Sequence, residues 1–148
     1  MNRFFSLRRM TVALAALGLF ALAAPRAVAE EVPFHAEGTF TFVLIGGHRA
    51  DVTGSGHASP GGAFTFEDIA RSRVEYGVDV VEVMLTLEFA SGSTLTIYYE
   101  APKIDGVVQG TYWVVGGTGL FEGAGGSGTI WYPIGQGEPF TLDGEIDL

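Results

Sequence analysis

Cysteine is absent from this chain of 148 residues. Its absence excludes a disulfide framework, a cysteine-based zinc site, a thiol nucleophile and a lipidated cysteine anchor. A chain of this length predicts one domain. Stability therefore has to come from packing and from a complete backbone hydrogen-bond network.

Positive charge is scarce and unevenly placed. Eight basic residues stand against seventeen acidic ones, and four of the eight lie in the first 29 positions, where there is no acid. Residues 30–148 therefore hold four basic and seventeen acidic side chains, a formal charge of −13. A body of this charge repels phosphate backbones and anionic lipid surfaces, which excludes nucleic acid as a partner.

The first 29 residues predict a cleavable Sec-type signal peptide. Three arginines precede an apolar run over residues 10–24, and Ala27-Val28-Ala29 then supplies small residues for a signal peptidase. The run is shorter than the roughly 20 residues that span a bilayer. We expect export to the periplasm or beyond, a mature chain from Glu30 and no stable membrane span after cleavage. An uncleaved anchor is the alternative.

Alternation of apolar and polar residues dominates the rest of the chain. Residues 34–44 and 140–148 each place one apolar set on one face, and residues 81–89 and 95–99 do the same. Shorter candidate strands lie at 51–57, 62–68, 107–115 and 128–132, with glycine-rich turns between strands. A helical turn is plausible only at 67–76. The pattern gives about eight strands.

These strands predict a fold that is all-β, with one domain over residues 30–148. An antiparallel sheet of eight strands must close or hide its edges, so we expect an eight-stranded antiparallel barrel whose terminal strands pair with each other. A two-sheet sandwich is the alternative. Such a barrel is filled by side chains or holds one small ligand. The aromatic residues expected to line or plug it are Phe34, Phe40, Phe42, Phe64, Phe66, Phe89, Tyr99 and Phe140.

Residues 116–128 hold seven glycines in the sequence GGTGLFEGAGGSG. The spacing is close to a dinucleotide fingerprint, but that motif needs a helix after the loop, and the glycines at 123, 125, 126 and 128 disfavour one. Ser127 also lacks the second glycine of a lipase-type nucleophile elbow. Bulges and tight bends of a barrel wall explain these glycines better. We expect Leu120-Phe121 to plug the base of the core.

The same segment resembles the signature of the allene oxide cyclase and dirigent-protein barrels and their bacterial relatives. The matching residues run from Gly116 to Gly126 as Gly-Gly-Thr-Gly-Leu-Phe-Glu-Gly-Ala-Gly-Gly, after an aliphatic strand. The resemblance covers about the last 70 residues and implies an eight-stranded barrel with an apolar lumen, often assembled as a dimer or trimer. The family's working residues lie outside this motif and do not transfer one by one.

Candidate site residues are few. Glu100 follows Tyr98-Tyr99 at a strand end, where desolvation at a barrel mouth would raise its pKa and suit it to acid or base catalysis. Alternation, however, places it with Thr94 and Thr96 on the outer face. Candidate ligand contacts are Phe40, Phe42, Tyr99 and Trp113. For Trp113 and its aromatic neighbours Tyr112, Trp131 and Tyr132, core or subunit packing is the alternative.

The sequence predicts no cofactor and no metal site. A transition-metal site could be built from two histidines and a carboxylate, such as His48, His57 and Asp51. We favour the alternative that the histidines are solvated, in turns and on outer faces. The third histidine, His35, lies on a polar face. Asp143, Glu145 and Asp147 fan out along an extended strand, whereas a calcium loop gathers its oxygens at one point. We interpret these acids as outward solubilising charges.

Two functions remain. The first is an exported barrel that binds a small apolar or aromatic ligand or serves as a structural, self-assembling module. The second is a cofactor-free isomerase or cyclase that confines an apolar substrate in the lumen, as the resemblance implies. The sequence identifies neither a ligand nor a reaction.

Overall fold

A computed structural model describes residues 28–148, so residues 1–27 of the predicted signal peptide lie outside the described residues. Eight antiparallel strands form one closed barrel in sequence order. The strands are β1 (Glu31–Gly46), β2 (Arg49–Ser59), β3 (Gly62–Glu75), β4 (Val78–Phe89), β5 (Thr94–Ile104), β6 (Val107–Thr118), β7 (Gly125–Pro133) and β8 (Glu138–Asp147). The predicted all-β fold and closed antiparallel barrel are confirmed, and the two-sheet sandwich is wrong.

The barrel closes through its first and last strands. β1 pairs with β8 from Glu31–Asp147 to Phe40–Glu138, as expected from their one-sided alternation. Glu30 and Leu148 extend this pairing with two backbone hydrogen bonds of 3.2 and 3.0 Å. Closure leaves the barrel of residues 31–147 without a free sheet edge, which removes the row of unpaired backbone groups that makes edge strands prone to aggregation.

Apolar side chains point to the barrel axis. The buried set includes Phe34 and Phe40 from β1, Leu85 from β4 and Leu142 from β8, and their outward neighbours are exposed or half-buried. Successive side chains of a strand face opposite sides of a sheet. The apolar positions of the sequence alternation are therefore the inward positions of the barrel, and the polar positions face outward.

One end of the barrel is closed by the glycine-rich segment. A short 3₁₀ helix, η1 (Gly119–Phe121), lies between β6 and β7, and Phe121 is fully buried against Phe34 and Phe89, at centroid distances of 6.5 and 4.9 Å. Leu120 is 51% exposed. The expectation that both residues plug the core is therefore wrong for Leu120, because η1 lets only one of two successive side chains turn inward.

The segment that favoured a helical turn, residues 67–76, lies instead in β3 and its hairpin. Its inward positions are Asp68, Ala70 and Ser72, which are polar or small, so the apolar alternation seen at Phe64 and Phe66 stops there. Ala70 and Ser72 line the open half of the barrel rather than its packed half. The short candidate strands are likewise longer in the structure, since small or polar residues continue them toward the ends.

Candidate functional site

The barrel encloses a cavity of about 410 Å³. It opens at the end that carries the β1–β2, β3–β4, β5–β6 and β7–β8 hairpins, opposite Phe121. Its volume lies within the usual range for small-molecule sites, about 300–1,000 Å³. The principal lining residues are Phe40, Phe42, Val52, Phe66, Ala70, Val83, Leu85, Tyr99, Ile130, Tyr132 and Phe140.

Aromatic rings form much of this wall. Phe40 meets Tyr132 edge to face at a centroid distance of 5.2 Å, and Phe66 meets Phe140 in the same way at 5.6 Å. Edge-to-face pairs hold the rings in fixed orientations and leave other ring faces toward the cavity. The wall is therefore suited to a planar apolar or aromatic molecule.

A pair of tyrosines supplies a polar point inside the apolar wall. The hydroxyl oxygens of Tyr99 on β5 and Tyr132 on β7 lie 3.0 Å apart, so one hydroxyl donates to the other. Burial raises the pKa of Tyr99 well above its usual value and raises the pKa of Tyr132 to about 12. Both phenols are therefore neutral at pH 7, and the second hydroxyl proton remains available to a ligand.

Asp68 is a carboxylate on the inward side of β3. Its Oδ2 accepts the backbone N–H of Thr86 at 2.9 Å, between the Thr65–Glu88 and Ala70–Val83 pairs of the β3–β4 ladder. Partial burial raises the pKa of Asp68, while the Thr86 hydrogen bond acts in the opposite direction. The Asp68 charge also contributes to the raised pKa of Tyr99. Asp68 is not one of the residues that line the cavity, so its carboxylate lies in the barrel wall and acts on Tyr99 through its charge.

Asp68 is not among the candidate site residues of the sequence because the strand predicted over residues 62–68 ends at this residue. The available signal was the alternation Phe64, Phe66, Asp68, which places an acid on an apolar face. A lone acid at such a position is a candidate for a perturbed pKa.

Three of the predicted contacts lie together. Phe40, Phe42 and Tyr99 all line the cavity. Trp113 lies on the outer face instead, 49% exposed and stacked on Tyr98 at 6.5 Å. Trp131 is also on the outer face and 37% exposed, so intrinsic tryptophan fluorescence is a poor reporter of the lumen.

Glu100 lies outside the barrel. Its carboxylate pairs with Arg73 and accepts the Tyr98 hydroxyl at 3.2 Å. Arg73 also pairs with Glu75 and Glu82 at 3.3 Å each, which makes a surface ion-pair network. The structure therefore separates Glu100 from the cavity and gives it a cross-strand role.

The described residues contain no group of three or more His, Asp or Glu side chains placed to hold a metal ion. His48 borders the cavity opening, whereas His57 is an exposed residue farther along β2. His35 Nδ1 lies 2.6 Å from Asp143 Oδ1 on the outer surface, and this contact raises the pKa of the histidine. Within residues 28–148, no helix is long and apolar enough to cross a bilayer.

The geometry defines a closed antiparallel barrel of eight strands with an aromatic lumen open at one end. No family model matches the chain, and no curated protein matches it. Among solved structures it is similar to the pterocarpan synthase dirigent protein GePTS1, with 15% identity over 82% of this chain and 87% of that chain and a TM-score of 0.56. It is also similar to the pterocarpan synthase dirigent protein PsPTS1, with 16% identity, coverage of 79% and 92%, and a TM-score of 0.53.

The chain therefore has the fold of the dirigent-like barrels. This confirms, at the level of the fold, the resemblance carried by residues 116–126. At such identities the likeness concerns the arrangement of the strands alone, because one barrel fold can hold unrelated functions.

Proposed function

We propose that this protein binds a small apolar or aromatic ligand inside its barrel. The single observation that supports the proposal is the open cavity of about 410 Å³, with aromatic walls and the Tyr99–Tyr132 pair as its polar contact. Apolar pockets with a few convergent polar groups are typical of ligand sites.

A fluorescence titration with N-phenyl-1-naphthylamine, a neutral dye that brightens in apolar surroundings, tests this proposal. Ala70→Phe fills the lumen at a small residue of the wall, and Ala63→Phe adds the same side chain at an exposed position of the same strand. We expect Ala70→Phe to weaken dye binding at least about tenfold and Ala63→Phe to leave it unchanged. Equal binding by both variants would contradict a lumen site.

A second candidate is a cofactor-free isomerase or cyclase, and Asp68 favours it. Its pKa is raised and its charge acts on the neutral phenol of Tyr99, and if the carboxylate turns from the Thr86 N–H into the lumen it can take a proton from one atom of a confined substrate and return it at another. The two similar solved structures are themselves described as pterocarpan synthases.

This candidate is tested by screening ring-closing reactions of phenols and epoxides for turnover and for the handedness of the product. Asp68→Asn should abolish turnover and keep dye binding, whereas Glu67→Gln, an exposed neighbour on β3, should change neither. Unchanged turnover in Asp68→Asn would remove the role assigned to that carboxylate.

We further propose that the protein is exported and cleaved after Ala29. The sequence pattern of residues 1–29 supports this, and the barrel's own backbone pairing begins at Glu30. Intact-mass measurement of protein recovered from the periplasm or medium should give a chain that starts at Glu30. Recovery of the full chain only in membranes would favour the anchor alternative.

Self-association as a dimer or trimer is proposed as well. Met84, Tyr98 and Trp113 are opposite one another on three adjacent strands and form an apolar row on the outer face. Native mass spectrometry should show one such oligomer, and Trp113→Glu should convert it to monomer. A monomer at all concentrations would contradict the proposal.

A further inference from the structure

The few positive charges of the barrel are all found toward its open end, and they fall into two kinds. Arg73 and Lys103 are paired with carboxylates, Lys103 with Asp79 at 2.8 Å. Arg49 and Arg71 have no carboxylate oxygen within 4.0 Å among the described residues. In a body with seventeen acids, two unpaired cations side by side are unexpected.

Arg49 and Arg71 are direct partners in the β2–β3 ladder, next to the β1–β2 hairpin. Like charges directly opposite each other destabilise a sheet. Glu82 is opposite Arg71 across the β3–β4 pair, but its carboxylate contacts Arg73. The arginine pair therefore lacks the counter-charge that its neighbours have.

Both arginines border the opening of the cavity. Alternation puts their side chains on the outer side of the wall, at its rim, and an arginine carries its charge at the end of a long stem. A guanidinium attached at this point can lie over the opening. Two guanidinium groups at this point fit a carboxylate, because carboxylate oxygens accept the paired N–H donors of arginine.

We propose that the lumen ligand is an aromatic carboxylate whose ring enters the cavity and whose anionic group is held by Arg49 and Arg71. This inference rests on the proposed ligand-binding function and adds the ligand's chemical class. A single negative charge fits better than a phosphate dianion because the body's formal charge of −13 repels anions at long range.

Displacement of N-phenyl-1-naphthylamine by 2-naphthoate and by its uncharged methyl ester tests the inference at pH 7.5. We expect the acid to bind about tenfold more tightly than the ester, as a modest sum of two solvent-exposed charge-assisted contacts. The preference should decrease as salt is added, because salt screens exposed charges.

The variants Arg49→Gln and Arg71→Gln should each reduce the preference for the acid, and the double variant should abolish it while the ester binds as before. Arg73→Gln removes the same charge from a guanidinium already paired with Glu75, Glu82 and Glu100, so it serves as the control and should keep most of the preference.

Each result has a distinct meaning. Equal affinity of the wild-type protein for acid and ester would overturn the inference and leave ligand binding in the lumen intact. Binding of neither compound, with no dye binding, would overturn both. Loss of ester binding in the double variant would assign the arginines to the cavity wall and overturn their role as an anion site.

Discussion

At the scale of single residues, two buried tyrosines differ in how their hydroxyls are satisfied. The Tyr132 hydroxyl is bonded to Tyr99, whereas the Tyr112 hydroxyl has no hydrogen-bond partner among the described residues. It lies beside Gly128 and Gly144, where an added Cβ would come within 2.6 and 2.7 Å of its oxygen. An unpaired buried hydroxyl costs about 1–3 kcal/mol, and a paired one contributes about 1 kcal/mol.

Tyr112→Phe should therefore raise the free energy of unfolding by about 1 kcal/mol, because it removes an unsatisfied hydroxyl and keeps the ring. Tyr132→Phe should lower it by a similar amount, since Tyr99 loses its partner. Urea unfolding of both variants against wild type measures the difference. A loss of stability in Tyr112→Phe as large as that in Tyr132→Phe would contradict the assignment.

The same tyrosines predict instability at alkaline pH. Burial raises the pKa of Tyr112 and of Tyr132 to about 12, from the usual value of 10. The unfolded chain loses these tyrosine protons near pH 10, whereas the folded barrel keeps them until about pH 12. The free energy of unfolding is therefore at its full value below pH 10 and falls as the pH rises from 10 to 12. Thermal unfolding across that range should show a smaller loss for each Tyr→Phe variant than for wild type. Tyr76→Phe, at an exposed tyrosine, should follow wild type.

At the scale of elements, β7 and β8 approach each other through glycines. Gly128 and Gly144 are opposite each other, and an added Cβ on Gly144 would clash with the Ser127 carbonyl and lie 2.6 Å from the Gly128 Cα. Gly125, on the same pair of strands, has only ordinary contact distance to Asp147. The close backbone approach of β7 and β8 therefore occurs at Gly128 and Gly144 and not at Gly125.

Gly144→Ala should lower stability by about 1–3 kcal/mol, because backbone atoms must move apart to admit the methyl group. Gly125→Ala should change it much less. The melting temperatures of the two variants measure the contrast. Equal melting temperatures would show that the two strands have more room than the structure gives them.

The closed end of the barrel depends on η1. Phe121→Ala should cost about 3–5 kcal/mol, because it empties a fully buried site between Phe34 and Phe89. Leu120→Ala removes an exposed side chain and should cost under about 0.5 kcal/mol. Chemical denaturation distinguishes the two. Similar losses would mean that Leu120 packs into the core after all.

At the scale of the whole molecule, alternation predicted the strands, and the need to protect sheet edges favoured a closed barrel over a two-sheet sandwich. The strict apolar sets of β1 and β8 predicted that the terminal strands pair, and the structure has that pairing. Alternation could not predict β3 beyond Asp68, because the inward residues there are small or polar. Near the opening of the cavity the wall is not packed by large apolar side chains, so the apolar–polar pattern is lost. Alternation could not find the Tyr99–Tyr132 contact either, since β5 and β7 do not pair with each other and come close only as the two neighbours of β6 in the closed barrel.

The candidate site was therefore predictable only in part. Phe40, Phe42 and Tyr99 were identified from the inward face, and they line the cavity. Trp113 was identified by its aromatic character alone, which does not distinguish the two faces of a strand. Arg49 and Arg71 were counted only as charges, because nothing in their sequence neighbourhood shows that they are opposite each other.

Methyl-resolved NMR during a titration with N-phenyl-1-naphthylamine tests the central claim, a ligand site in the lumen, most directly. We predict shifts of the Val83, Leu85 and Ile130 methyl signals, which belong to the cavity wall, and no shift of the signals from the exposed Leu120 and Val115. Shifts confined to Val115 and Leu120, or no saturable shift at the wall, would contradict it.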